Sequence, residues 1–110
     1  MKPGDLFWVE LPVRGGHAQA GRRPAIIAQQ PSNLPTVLIV PLTSQQDALR
    51  FPGTVLVEAG KENGLRSDSI ALVFQLTATD KRHITNRLGK ASEQVMEQIW
   101  EALDTLTGRN

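Results

Sequence analysis

Residues 13–24 carry most of the side chains in this chain that could act on a phosphate. The segment reads VRGGHAQAGRRP and contains three glycines, three arginines and one histidine. Glycine lets a ligand approach the backbone closely, and Pro24 favours an extended conformation at Arg23. A guanidinium held in this way can bind a phosphate through paired N–H donors. A solvated glycine-rich hairpin, with arginines that serve solubility, is equally compatible with the segment alone.

Five short apolar runs surround this segment, and each of them predicts a β-strand. Each run is five to eight residues long and is bounded by Gly, Pro, Asn or Ser, which favours strands over helices. The runs are residues 5–11, 24–28, 36–42, 53–57 and 69–76. Five strands with few helical windows predict a mainly β protein, built as an antiparallel sheet or small barrel.

The C-terminal segment has the pattern of one amphipathic helix that closes the barrel. Its apolar positions recur at spacings of four, four and three residues, at Val95, Ile99, Leu103 and Leu106. This spacing places them on one helical stripe. Ser92 is a suitable N-cap, and Gly108 can end the helix. The stripe with Met96 and Trp100, together with Phe7 and Trp8, offers more apolar surface than one small core needs. We therefore expect a homodimer.

Length and composition restrict the protein to one small domain. The chain has 110 residues, a mass of 12.1 kDa and no cysteine, so we assign a single domain to residues 1–110. The lack of cysteine excludes a disulfide scaffold and a thiolate metal site. No apolar stretch approaches the ~20 residues of a membrane helix. The first residues lead directly into a predicted strand and not into a signal peptide. We expect a cytoplasmic protein with no membrane partner.

The charges are segregated along the chain, although the net charge is only +1. Residues 11–46 contain three arginines and no carboxylate, residues 81–92 contain four cations and no acid, and residues 93–104 contain four acids and no base. A basic patch beside an acidic element indicates an anion-binding face, with nucleic acid as the first candidate. Ordinary scatter of surface charge explains the counts equally well.

A set of short motifs adds a family resemblance that covers nearly the whole chain. The motifs are Gly4-Asp5-Leu6-Phe7-Trp8-Val9-Glu10-Leu11, Gly16-His17-x-Gln19-x-Gly21-Arg22-Arg23-Pro24-Ala25, Pro35-Thr36-Val37, Pro41-Leu42-Thr43-Ser44, Gly64-Leu65, Asp68-Ser69-Ile70, Gln75, Thr79-Asp80-Lys81 and Arg87-Leu88-Gly89. In this order they resemble toxins of the MazF/PemK/Kid type.

The resemblance implies a fold, an activity and partners. The fold is an SH3-like small antiparallel β barrel with a C-terminal helix, as in CcdB, MazF and PemK. The activity is that of a homodimeric, metal-independent endoribonuclease that cuts single-stranded RNA, often mRNA, and needs no cofactor. A cognate antitoxin holds such toxins inactive. The catalytic residues implied are Arg23, Thr43 and His17, and the RNA-binding residues are Gln19, Arg22, Ser44, Gln75, Thr77 and Lys81.

The chemistry of these residue types is consistent with RNA cleavage. In metal-free cleavage the 2′-hydroxyl attacks the adjacent phosphate, so the protein must move protons and stabilise added negative charge. Arg23 does not give up its proton, and its role is to stabilise the transition state. Thr43 can donate a hydrogen bond to a phosphate oxygen or orient the 2′-hydroxyl; alternatively, it caps a turn at a strand end. His17 is the only residue of its segment that can transfer protons near neutrality; alternatively, it only shapes the loop or contacts a base.

Four positions depart from the family pattern. The family glutamate is replaced by Ala18, and the Kid-like branch has an arginine and an aspartate where this chain has Leu72 and Phe74. A further family arginine is replaced by Thr77. Proton transfer then depends on His17, or the activity is weak, or the substrate differs.

These departures keep alternative functions open. The first is a catalytically weak family member that binds antitoxin or RNA without efficient cleavage. The second is a poison of a protein target, like the gyrase-directed CcdB toxins, and the third is a generic SH3-like binding module. Two histidines and scattered carboxylates show no metal-ligand spacing, and no nucleotide-binding loop is present.

Overall fold

The computed structural model describes residues 1–11 and 21–109. Within these ranges the chain forms seven strands, one α-helix and three short 3₁₀ turns. The strands are β1 (Asp5–Leu11), β2 (Gly21–Ile27), β3 (Thr36–Thr43), β4 (Thr54–Val57), β5 (Ser69–Leu72), β6 (Thr77–Asp80) and β7 (Ile84–Lys90). The helix is α1 (Glu93–Thr107), and the 3₁₀ turns are Gln46–Arg50, Val73–Gln75 and Lys81–His83.

The strands form one curled antiparallel sheet. Its order is β4-β5-β3-β2-β1-β7, and β6 pairs separately with the first half of β3. Each strand pairing in the described part of the chain is antiparallel. The prediction of a mainly β fold with a C-terminal helix is confirmed. The sheet is barrel-like without a complete ring of hydrogen bonds, since β4 and β7 lie at the two ends of the strand path.

The helix covers the larger of two apolar clusters inside this sheet. Leu6, Ile26 and Val40 are opposed across neighbouring strands and are fully buried. Ile99 of α1 is also fully buried in this cluster, and Val95 and Met96 pack against it. The stripe on α1 is therefore largely used by the chain's own core. Ile99 is therefore not available to a dimer interface, whereas Trp100 and Leu106 are exposed.

A second cluster on the other face of the sheet explains why β2 and β3 are apolar without alternation. Val9, Ala25, Ile27 and Ile39 are buried there beneath Phe7 and Ile84. Because both faces of these strands are covered, successive residues are apolar, as in other doubly buried strands.

Both predicted helix ends are confirmed. The Ser92 hydroxyl accepts a hydrogen bond from the Val95 N–H at 3.1 Å, and Gly108 has φ 82°. Asp104 accepts a hydrogen bond from the Arg109 N–H across this left-handed end, at 2.8 Å. In the ranges described here, no helix has the length and apolar character needed to cross a membrane.

The run at residues 69–76 differs from the prediction of one strand. It divides into β5 and the 3₁₀ turn Val73–Gln75, and the chain then continues into β6. β6 and β7 are not among the five predicted strands. Both are too polar to be recognised as buried strands, because much of each strand faces solvent.

Two glycines let residues 60–67 pack directly on β7. Gly64 has φ +73°, and a Cβ there would overlap the Leu88 carbonyl. A Cβ at Gly89 would overlap the Glu62 carbonyl oxygen, which accepts a hydrogen bond from the Lys90 N–H at 2.7 Å. The Gly64-Leu65 and Arg87-Leu88-Gly89 motifs are thus two halves of one backbone contact.

We expect Gly64→Ala to destabilise the fold by about 2–4 kcal/mol, because it adds backbone strain and a steric overlap. Urea unfolding followed by circular dichroism measures this difference. Gly60→Ala is the matched control in the same loop, since a Cβ at Gly60 meets nothing within 4 Å. Equal stability of the two variants would contradict the close contact.

Candidate functional site

A groove of about 680 Å³ lies where the ends of several strands meet. It is lined by residues of β1 and β2, by the end of β3 and the turn after it, and by the loop before β5. Its polar lining consists of three arginines, four hydroxyl residues and one glutamine, namely Arg22, Arg23, Arg66, Thr43, Ser44, Ser67, Ser69 and Gln45. No carboxylate occurs among the lining residues that the structure describes. The groove therefore has the charge of an anion-binding site.

The start of β2 places two arginines at this groove. Arg22 pairs with Glu10 of β1, Arg23 pairs with Val9, and Pro24 pairs with Trp8. The extended conformation predicted for Arg23 is confirmed by its position in β2. Arg23 is half-buried, whereas Arg22 is exposed.

Arg22 lies over the indole ring of Trp8. Because Trp8 is directly opposite Pro24, Arg22 and Trp8 form a diagonal cross-strand pair on one face of the hairpin. The Arg22 guanidinium carbon lies 4.6 Å from the Trp8 ring centroid, which is a cation–π contact. This contact restricts the rotamers of Arg22 and holds its charge at the groove.

Thr43 is the last residue of β3, and its hydroxyl caps the turn that follows the strand. Its hydroxyl oxygen accepts a hydrogen bond from the Gln45 N–H at 3.2 Å, so it stabilises the turn after the strand. A hydroxyl that accepts in this way can still donate its own proton. The Gln46 side chain ties the same turn to the loop before β5 by donating to the Asp68 carbonyl at 2.9 Å. Thr43 is thereby presented to the groove on an anchored turn.

Arg66 also lines the groove, from the loop before β5. It was not among the residues predicted from the sequence. The loop is held by Asp68, which accepts from the Ala59 N–H at 2.8 Å, and by Asn63, which accepts from the Gly60 and Leu65 N–H groups. Arg66 itself is exposed. Its neighbours Gly64 and Leu65 were recognised as a motif, but Arg66 lies outside both basic segments and had no signal of its own.

The ion pairs of the described chain lie away from this groove. They join Asp80 to Arg82, Asp5 to Arg87 and Asp104 to Arg109; neither Arg22 nor Arg66 takes part. The hydrogen bond from the Arg82 side chain lowers the pKa of Asp80 to about 2. Burial raises the pKa of Asp5, but hydrogen bonds from the Lys2 N–H and Arg87 outweigh burial and lower it. These carboxylates compensate cations elsewhere on the surface.

Comparison with known proteins identifies the family. Residues 2–107 match the family described as PemK-like, MazF-like toxin of type II toxin-antitoxin system. The chain belongs to this family. Among curated relatives, it is 28% identical over 106 residues to Endoribonuclease EndoA of Bacillus subtilis, covering 94% of this chain and 90% of that protein. It is 30% identical over 113 residues to Endoribonuclease MazF of Staphylococcus epidermidis, covering 100% and 93%.

Solved structures of MazF proteins share the fold. MazF (Form-I) from Deinococcus radiodurans has a TM-score of 0.78 and 25% identity, over 98% of this chain and 96% of that one. A MazE-MazF structure (Form-II) from the same organism has a TM-score of 0.80 and 23% identity, over 100% and 97%. The resemblance inferred from the short motifs is confirmed.

The fold of this PemK-like, MazF-like toxin brings together only some of the predicted site residues. Arg22, Arg23, Thr43 and Ser44 line the groove, and their functional roles stay predictions. His17 and Gln19 lie outside the described residues.

Three other predicted RNA contacts do not line the groove. Gln75 ends a 3₁₀ turn, and Thr77 begins β6 opposite Ile39. The Lys81 ammonium donates to the Ser32 carbonyl at 2.6 Å, beside a separate cavity. An RNA chain would have to extend beyond the groove to reach them.

Two of the positions that depart from the family pattern have become apolar packing sites. Leu72 is buried in β5, and the Phe74 ring lies 6.0 Å from the Phe51 ring, centroid to centroid. Thr77 is exposed. The carboxylate and the guanidinium of the Kid-like pattern are thus replaced by groups that cannot exchange protons or bind phosphate.

Proposed function

We propose that this toxin is a metal-independent endoribonuclease that cleaves single-stranded RNA, including mRNA, in the cytoplasm. One observation carries the proposal: Arg22, Arg23, Arg66 and Thr43 line a single groove that has no carboxylate among its described lining residues. This lining attracts a polyanion and repels a cationic substrate. The relatives named as endoribonucleases support the same activity.

Arg23 and Thr43 form the proposed catalytic pair. The RNA 2′-oxygen attacks the adjacent phosphorus, the bond to the 5′-oxygen breaks, and the products are a 2′,3′-cyclic phosphate and a 5′-hydroxyl. Negative charge increases on the non-bridging oxygens in the transition state. The Arg23 guanidinium stabilises that charge, and the Thr43 hydroxyl, fixed by its bond from Gln45, donates to one of the same oxygens.

Proton transfer is assigned to His17. With Ala18, Leu72, Phe74 and Thr77 at the departing positions, it is the remaining group near Arg23 in sequence that can remove the 2′-hydroxyl proton near neutral pH. The imidazolium formed can then return a proton to the leaving 5′-oxygen.

The proposed protein partners are a cognate antitoxin and a second copy of the toxin. Solved structures of MazE with MazF support an antitoxin. A patch formed by Leu49, Phe51, Phe74 and Leu106 supports the homodimer, since these four large apolar residues are 42–45% exposed. The patch is continuous, because Gly53 next to it accepts from the Phe74 N–H and packs against Leu106. A patch of this kind suits a two-fold interface.

Cleavage of long single-stranded RNA in excess EDTA tests the catalytic pair. We expect the wild type to cut. Arg23→Ala should cut at least about 100-fold more slowly, because it lacks transition-state stabilisation. Thr43→Val should also slow cleavage while RNA affinity is retained, and Thr43→Ser should restore it. Arg109→Ala removes the same charge outside the groove and serves as control.

The alternatives give different results in this assay. RNA binding without cutting would indicate the catalytically weak family member. No interaction with RNA would favour a protein-target poison or a generic binding module. Wild-type rates for Arg23→Ala would remove Arg23 from the mechanism.

The pH dependence of cleavage tests His17. A histidine base acts in its neutral form, so the rate should rise with pH through the imidazole pKa, ordinarily about 6.5, and then level off. His17→Ala should lose most activity and still bind RNA. A rate that is flat between about pH 5 and 8, with His17→Ala as fast as wild type, would contradict this role.

Light scattering at tens of micromolar tests the dimer. We expect Phe51→Ser together with Phe74→Ser to convert a wild-type dimer to a monomer, because the substitutions remove two apolar anchors from the interface. Leu34→Ser is the control, since Leu34 is a 58% exposed leucine away from the patch. A monomeric wild type, or a double variant that stays dimeric, would rule out this interface.

A further inference from the structure

We propose that the groove contains a nucleotide subsite in which the Arg22–Trp8 pair stacks an unpaired base and Arg66 binds a backbone phosphate. The proposal rests on the proposed function, because it assigns the groove to single-stranded RNA. It adds Trp8 and Arg66 to the residues identified from the sequence and gives Arg22 a specific role.

Arg22 lies where it can stack on an unpaired base. Its guanidinium carbon lies 4.6 Å from the Trp8 ring centroid, and it has no ion pair in the part of the chain described. Because Arg22 is exposed, the side of its guanidinium that is turned away from the indole ring can contact a flat ligand. Arginine planes and aromatic rings are the surfaces on which proteins stack unpaired bases. Because stacking needs no particular base edge, the subsite tolerates different bases.

Arg66 has the position and the charge to bind a phosphate. It is exposed, lines the same groove as Arg22 and has no carboxylate partner among the described residues. The loop that carries it is restrained by the contact of Gly64 with Leu88 and by the hydrogen bonds of Asp68 and Asn63. An unpaired guanidinium on a restrained loop suits phosphate, which it can bind through two parallel N–H donors.

The size of the groove sets the class of ligand. At about 680 Å³ it has the volume of a small-molecule site, which accommodates a nucleotide and not a duplex. A paired base would keep its faces stacked on its neighbours, so the Arg22–Trp8 surface requires an unpaired strand. The Arg22–Trp8 surface thus contributes to single-strand preference without touching the reacting atoms.

Two uncleavable probes separate the base from the phosphate. The first is a 12-nucleotide mixed-sequence RNA with 2′-fluoro riboses, and the second is a 12-unit abasic oligonucleotide with the same phosphates. We expect Trp8→Leu and Arg22→Ala to weaken binding of the first probe. For Trp8→Leu the loss should be about tenfold, with little change for the abasic probe. Trp8→Phe should retain most of the affinity.

Arg66→Ala should behave differently. It should weaken binding of both probes equally and reduce the slope of log affinity against log salt by about 0.7, the value for one phosphate contact on a single strand. Arg66→Lys should keep the slope. Lys2→Ala is the control, because Lys2 is an exposed cation outside the groove.

A fluorescence measurement keeps the test decisive if Trp8→Leu fails to fold. The chain has two tryptophans, so Trp100→Phe leaves Trp8 as the only one. The mixed-sequence probe should quench Trp8 fluorescence, and the abasic probe should not. Equal effects of both probes on Trp8, or an unchanged salt slope for Arg66→Ala, would overturn the subsite.

Failure of the subsite and failure of the proposed function are distinguishable. A wild type that cuts RNA while the Trp8 and Arg66 variants bind both probes normally contradicts the subsite alone. A wild type that shows the expected base and salt effects but never cuts contradicts the proposed cleavage alone. Absence of binding to both probes overturns the subsite, whatever the cleavage assay shows.

Discussion

The close contact between residues 60–67 and β7 determines where the groove can form. Gly64 and Gly89 each lie where a side chain would overlap a backbone carbonyl, and the Lys90 N–H bonds to Glu62 across the same contact. The loop must therefore pack at backbone distance, and this packing brings Arg66 to the groove lined by Arg23 and Thr43. A larger residue at either glycine would separate the loop from the strand and widen the site.

In this arrangement the arginines of the groove are separated from the paired carboxylates of the described chain. Three arginines line one groove, while carboxylates elsewhere pair with Arg82, Arg87 and Arg109. Mutual repulsion among guanidiniums opposes their assembly, and the Arg22–Trp8 contact offsets part of that cost by placing one of them over an aromatic ring. A bound polyanion would offset more of it, so the surface suits phosphate groups.

The departures from the family pattern change how the reaction must be organised. Leu72 and Phe74 contribute to packing at positions where the Kid-like branch has a charged pair, and the Phe51–Phe74 contact extends an exposed apolar surface. Of these two positions, only Phe74 is exposed, and it lies in the patch proposed as the dimer interface. The proposed chemistry then divides between charge stabilisation at Arg23 and Thr43 and proton transfer at His17. Fewer groups then need a pKa close to the pH at which the enzyme works.

The local sequence determined the elements, and the tertiary structure determined which of them meet. Apolar runs bounded by Gly and Pro were sufficient to predict the strands around Arg23 and Thr43, and Ser92 and Gly108 marked the ends of α1. These signals depend on neighbours within a few residues. The polar strands β6 and β7 carried no such signal, because much of each strand faces solvent.

The residues of the groove, too, were predicted from the sequence only in part. The motif order was enough to identify the family, and it selected Arg22, Arg23, Thr43 and Ser44, which are close in the fold because β2 and β3 are adjacent. Arg66 could not be found in this way, since its role depends on a loop more than twenty residues from Thr43 along the chain. Neither could the stacking of Arg22 on Trp8, because it results from the register between two strands. Sequence spacing determines which face of a strand a side chain occupies, but only the packing of loops and strands decides which side chains share a groove.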